Sequence, residues 1–146
     1  MLRDVELLLA DGTTQLLSQL RGRKNLVMIF TAGADLIDLV NQLLALRQEL
    51  QENEAEVLIV HNAEQGNFAK GIGLALDPEG ALHRQLGAID DQENRVPTVY
   101  VTDRFGEVFA AFRQSENKPL PNAKEIVGWL EFINRQCEEC SPPEWR

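Results

Sequence analysis

The 146-residue chain carries a formal net charge of −9, with 44% hydrophobic and 25% charged residues. That balance fits one globular domain, 1–146, with its own core, and excludes wholesale disorder. The acidity excludes nucleic acid and anionic membrane surfaces as partners, because both need a positive footprint, and serves solubility instead.

The N-terminus, Met1-Leu2-Arg3-Asp4-Val5-Glu6, places charges where a secretory leader needs an apolar run, and no apolar stretch is long enough to span a bilayer. A cytoplasmic protein with reduced cysteines is therefore expected. Val5 to Leu9, the turn Ala10-Asp11-Gly12-Thr13 and Thr14 to Leu17 predict an opening pair of short strands. After the basic cluster Arg21, Arg23 and Lys24, read as a solvated loop, Leu26 to Phe30 is apolar without alternation. Such a run predicts a strand buried on both faces. Leu36, Leu39, Val40, Leu43, Leu46 and Leu50 recur at helical spacing, predicting an amphipathic helix over 35–51.

Glu56 to Val60 is a second buried strand, and the strand–helix–strand order predicts a parallel pair with a right-handed crossover. His61 to Gly73 reads as a loop, and Asp77-Pro78-Glu79-Gly80 opens a short helix ending near Leu86, with Gly87 as its left-handed cap. Thr98 to Val101, the turn Asp103-Arg104-Phe105-Gly106 and Glu107 to Phe112 predict two paired strands. Ile126, Val127, Leu130, Ile133 and Cys137 mark a closing helix that starts near Pro121-Asn122. The resulting order, β-β-β-α-β-α-β-β-α, builds a central sheet with helices on both faces.

Four segments, in this order, resemble the alkyl hydroperoxide reductase/thiol-specific antioxidant (AhpC/TSA) branch of the thioredoxin superfamily. Glu6 to Gly12 with Leu17 and Leu20-Arg21-Gly22 is similar to the opening hairpin and its glycine-bearing turn. Lys24 to Phe30 resembles the strand leading into the active site. Leu74 to Ala81 resembles the aspartate-containing segment before a short helix, and Val96 to Val108 the proline, strand, Asp-x-x-Gly turn and return strand. The resemblance implies an α/β thioredoxin-like fold, a central mixed β-sheet flanked by helices with an N-terminal β-hairpin. It also implies a thiol oxidoreductase or peroxidase activity, and a cis bond between Val96 and Pro97.

The reactive cysteine or CxxC of that family follows the first central strand and opens the next helix, where the positive helix end stabilises a thiolate. Here the segment is Thr31-Ala32-Gly33-Ala34-Asp35-Leu36-Ile37-Asp38-Leu39, which contains no cysteine. In one register the two CxxC positions fall on Asp35 and Asp38, in a register shifted by one on Leu36 and Leu39. Asp35 and Asp38 are suited to capping a helix and complementing its dipole; an acid–base pair or a cation site is the competing reading. A cis Pro97 facing this helix start would leave a backbone edge open to an extended peptide, while a rigid turn is the simpler role.

The chain's two cysteines, Cys137 and Cys140, form a CxxC near the C-terminus. Three readings stand: two reduced inert thiols, a redox dithiol, or half of a zinc site completed by the histidines or by a second chain, the latter making a homodimer. Glu138, Glu139 and a helix C-terminus all oppose thiolate formation there. Gly71-Ile72-Gly73 lacks the strand–helix setting of a phosphate loop, and no cofactor is expected. His61 and His83 stand isolated in sequence and are read as surface or partly buried structural histidines. Two functions remain open: a module that binds a protein or peptide partner at the Pro97 cleft, or an oxidoreductase using Cys137 and Cys140. The position of the C-terminal pair relative to Pro97 separates them.

Overall fold

The computed structural model describes residues 2–34, 36–61 and 72–139, with side chains through residue 136. Seven strands form one mixed sheet: β1 (Glu6–Leu9), β2 (Thr14–Leu16), β3 (Asn25–Phe30), β4 (Ala55–His61), β5 (Gly73–Leu76), β6 (Thr98–Thr102) and β7 (Val108–Arg113). They lie in the order β2-β1-β5-β4-β3-β6-β7. β3 pairs parallel with β4 and antiparallel with β6, so it has a neighbour on each side and helices over each face. All six of its residues are buried, which is why its sequence is apolar without alternation.

The period-2 pattern survives inside that run as a division between two cores. Val27 and Ile29, with Val57, Ile59, Val99 and Val101, face α2 (Ile37–Ala45), α3 (Arg47–Glu52) and α5 (Ala123–Glu139). Leu26, Met28 and Phe30, with Leu58, Val60 and Tyr100, face α1 (Leu17–Arg21), α4 (Ala81–Gln85) and Leu7 of β1. The helices therefore lie on both faces, as the element order predicts.

Three elements differ from expectation. The helix expected over 35–51 is two helices, broken at Leu46, whose backbone (φ −105°, ψ 24°) caps one and opens the other. Both keep their apolar faces on the same core through Leu39, Val40, Leu43 and Leu50, so spacing alone does not reveal the break. The second difference is β5, read as part of a family-like segment and not as a strand. Four residues beginning with glycine are too short a signal; a Cβ on Gly73 would stand 3.2 Å from Leu58 Cδ1 on β4, a tight approach. The third is α1, a single turn where the sequence reads as strand followed by loop.

Other local signals are built as read. Asn122 Oδ1 accepts the Glu125 N–H at 2.8 Å and starts α5. Gly87 follows α4 with φ 80°, the left-handed conformation expected of its cap. Asp103 Oδ1 accepts the N–H groups of Phe105 and Glu107, both at 2.9 Å, and closes the β6–β7 turn. In the basic cluster, Lys24 pairs with Glu56 at 2.8 Å on the surface, and Arg21 donates to the Arg104 carbonyl.

Candidate functional site

The segment between β3 and α2 leaves the sheet at its centre. Thr31 N–H still bonds the Val60 carbonyl at 3.1 Å, and Ala34 N–H turns back to the Thr31 carbonyl at 2.8 Å. To make this turn the backbone is left-handed at two successive residues, Ala32 (φ 48°) and Gly33 (φ 82°). Glycine tolerates that conformation; alanine carries a steric cost, so something else must hold it.

The holder is His83. Its Nε2 accepts the Ala32 N–H at 3.0 Å, while its Nδ1 lies 2.8 Å from Asp77 Oδ2. A backbone N–H can only donate, so Nε2 is the acceptor and the ring hydrogen sits on Nδ1, donated to Asp77. The same carboxylate oxygen accepts the backbone N–H of His83 at 2.9 Å. His83 has 0% of its surface exposed and Asp77 4%. Of the two roles read from sequence, surface or partly buried structural histidine, His83 takes the structural one, more deeply buried than expected and paired on both ring nitrogens. Burial alone pushes the Asp77 carboxyl up, but the bonds from the His83 ring and from the His83 and Leu82 N–H groups together hold it below its ordinary 3.8.

Aromatic rings extend this contact across the sheet. The Phe30 ring meets His83 edge-on at 5.2 Å and Tyr100 edge-on at 5.6 Å. Tyr100 donates to the Leu86 carbonyl at 2.6 Å and accepts from Arg113 at 2.8 Å, and Arg113 also bonds the Gly87 carbonyl at 2.9 Å. Burial raises the Tyr100 hydroxyl against the opposing influence of Arg113. Beside the loop, Thr31 Oγ1 lies 3.2 Å from His61 Nδ1, and the His61 carbonyl accepts the Asp77 N–H at 2.7 Å.

Because Asp77 is lowered, it contributes stability in full above its unfolded value of 3.8 and loses it as pH falls through the lower native value. Urea titrations from pH 5 down to pH 2 are expected to show a component of acid destabilisation, developing below pH 3.8, that is absent from Asp77→Asn.

Pro97 immediately precedes β6. Phe30 pairs with Thr98 across β3 and β6, so one further step sets Thr31 opposite Pro97. Its peptide bond, however, is trans, since the described residues contain no cis bond; the expected cis Val96–Pro97 is corrected. The trans chain joins two sets of backbone bonds: Val96 N–H to the Ala88 carbonyl at 3.0 Å, and Gln114 N–H to the Pro97 carbonyl at 2.9 Å. The Val96 carbonyl takes the Thr98 hydroxyl at 2.9 Å. These groups are occupied from within, so the open edge for an extended peptide is corrected as well. What this end of the sheet offers outward is the half-buried Pro97 ring, exposed Gly33 and the exposed start of α2.

At that start, Ile37 is 44% exposed and Asp38 is an exposed carboxylate in the first turn. Leu36 occupies the cap position, with no side-chain cap bond among the described residues, so Asp38 complements the helix dipole rather than capping it. Asp35 lies outside the described residues, as do Gly71 and Cys140; Ile72 and Gly73 lead into β5. Cys137 belongs to α5 by its backbone, and its side chain lies outside the described set.

The course of α5 still bears on the C-terminal pair. Asn134, one turn before Cys137, bonds Asn25 at the start of β3 and Asn53 just before β4 (2.9–3.1 Å). The Thr31–Ala34 segment follows the other end of β3. Five steps of strand separate Asn25 from Phe30, roughly 17 Å. A cavity of about 560 Å³ lined by Lys24, Arg47, Gln51, Glu54 and Glu56 also lies away from the cleft and contains no candidate residue. Among the described residues no three His, Cys, Asp or Glu side chains are grouped to hold a metal, and no helix is long and apolar enough to cross a membrane.

No protein-family model matches the sequence, and no curated protein matches it either. Solved structures do match. AhpC of Enterococcus faecalis superposes with a TM-score of 0.72 at 19% identity, covering 98% of this chain and 95% of its own. Peroxidoxin BcpB of Mycobacterium tuberculosis gives 0.67 at 19% identity (90% and 94%), and reduced 2-Cys peroxiredoxin of Plasmodium vivax 0.65 at 15% (100% and 86%). The fold is therefore the peroxiredoxin-like form of the thioredoxin fold, reached by a chain with no cysteine between Thr31 and Leu39.

Proposed function

We propose that this chain is a peroxiredoxin-like domain that acts by contact and not by thiol turnover, binding a protein partner in the cytoplasm through the cleft between the Gly33–Asp38 segment and Pro97. The observation that carries the reading is the segment itself: it closes β3, opens α2, and has no sulfur from Thr31 to Leu39. With the backbone around Pro97 already hydrogen-bonded, contact falls to side chains, with exposed Ile37 as apolar anchor and Asp38 as charge. The net charge of −9 favours a partner with a basic rim around an apolar patch.

The test is affinity capture from cytoplasmic extract with wild type, Ile37→Ser/Asp38→Lys, and Cys137→Ser/Cys140→Ser as baits. A partner retained by wild type and by the cysteine double variant, and reduced about tenfold or more by the cleft variant, is the expected result. A partner lost only from the cysteine variant would favour the competing reading, an oxidoreductase or zinc-bridged homodimer built on Cys137 and Cys140. That reading draws on the solved structures being peroxiredoxins; the anchoring of α5 near Asn25 weighs against those thiols serving the cleft.

A further inference from the structure

A non-glycine residue in left-handed backbone marks the Thr31–Ala34 turn, and a single buried acceptor faces its N–H. We propose that His83 is a proton-operated latch: neutral, it holds the Thr31–Ala34 loop shut through Ala32, and protonated, it releases that loop while keeping its bond to Asp77. The chemistry follows from the ring. The neutral ring has one lone pair, on Nε2, and Ala32 N–H uses it at 3.0 Å. Protonation places a hydrogen on Nε2, so two N–H groups then face each other and the attraction becomes repulsion. The Nδ1–H bond to Asp77 is kept and gains charge assistance. The loss falls on the loop alone.

Charged and titratable groups reach the surroundings of His83 from several elements, among them Arg95, whose side chain lies against Gly80 at the start of α4. From the β5–α4 connection comes Asp77. From β3 comes only the uncharged Phe30 ring edge. β6 contributes Tyr100 beyond Phe30, and β7 contributes Arg113, which is held on Tyr100 and the Gly87 carbonyl. On α4 itself Arg84 is exposed and donates to the Glu79 carbonyl. From the end of β4, His61 reaches the same loop through Thr31 Oγ1. A hydroxyl both donates and accepts, so that contact survives either state of His61, whereas the Ala32 N–H has no such freedom. The switch therefore resides in His83.

As regulation of the cleft, the latch rests on the binding reading above; as a property of the loop, it does not. The experiment is NMR of the isotope-labelled full chain from pH 8 to pH 4, with no partner present. At neutral pH the His83 ring is expected to carry its hydrogen on Nδ1. On acidification the ring and the Ala32 amide should shift with one midpoint. Ala32 exchange, corrected for its intrinsic pH dependence, should rise about tenfold while Val27 stays protected. His83→Gln, whose amide oxygen accepts at every pH, should keep Ala32 protected throughout. Should that variant not fold, the wild-type titration decides alone. A hydrogen on Nε2 at neutral pH, a ring that stays neutral until the whole protein unfolds, or a titration that leaves Ala32 protected would each overturn the latch. Failure of the capture experiment would leave these readouts untouched, so the two ideas fail separately.

Discussion

Replacing Asp77 with alanine is expected to destabilise the protein by about 2–5 kcal/mol, since each buried donor left without an acceptor costs about 1–3 kcal/mol. The carboxylate oxygen accepts both the ring N–H and the backbone N–H of His83, so the truncation strands both of these buried donors and also removes the partner of the Leu82 N–H. Neither His83 donor has a route to water, because His83 is fully buried and its ring meets the edge of Phe30. Asp77→Asn should cost only about 1–2 kcal/mol at neutral pH, because its amide oxygen can still accept while the charge assistance is lost. Urea denaturation of the three proteins measures both differences. An alanine variant within 1 kcal/mol of wild type, or an asparagine variant as unstable as alanine, would refute the arrangement described for this pair.

Any peroxide or disulfide turnover by the purified wild-type protein is expected to fall to the rate of buffer alone in Cys137→Ser/Cys140→Ser. The chain has two cysteines, and an aspartate at 35 or 38 forms neither a sulfenic acid nor a mixed disulfide. The stability of the double variant is measured alongside, so that a loss of turnover through unfolding is recognised as such. Stability and turnover are thus measured on the same preparation: peroxide consumption and insulin reduction for one, urea denaturation for the other. Turnover that survives the double change would require a mechanism without thiols and would remove the basis for reading the Thr31–Leu39 segment as chemically silent. Turnover lost in the double variant, and absent from either single variant, would instead assign a working dithiol to the tail.

Much of the architecture is written in local signals. The unbroken apolar runs of β3 and β4 predict their central, parallel pairing, and the structure joins them residue for residue from Asn25–Ala55 to Phe30–Val60. The Asp103–Gly106 turn, the Asn122 start of α5 and the Gly87 cap are legible because each depends on residues only a few positions apart. The absence of a thiol between Thr31 and Leu39 is likewise a matter of sequence alone.

What the tertiary structure decided are the contacts between distant segments. Asp77 and His83 are six residues apart, and no periodic pattern singles them out; their third partner is Ala32, fifty-one residues from His83. An Asp and a His at that spacing become a pair only when Gly80 turns the chain and α4 docks on the sheet beneath Phe30. The trans Pro97 and the filled backbone edge around it depend in the same way on Ala88 and Gln114, brought there by the pairing of β6 with β7 and the return of the chain after α4. Local sequence determines where the chain is helical, extended or turned, because propensity and capping act over a few residues. Which polar groups end up buried together is set by packing, because the cost of an unpaired buried donor is felt only once the sheet and helices have excluded water.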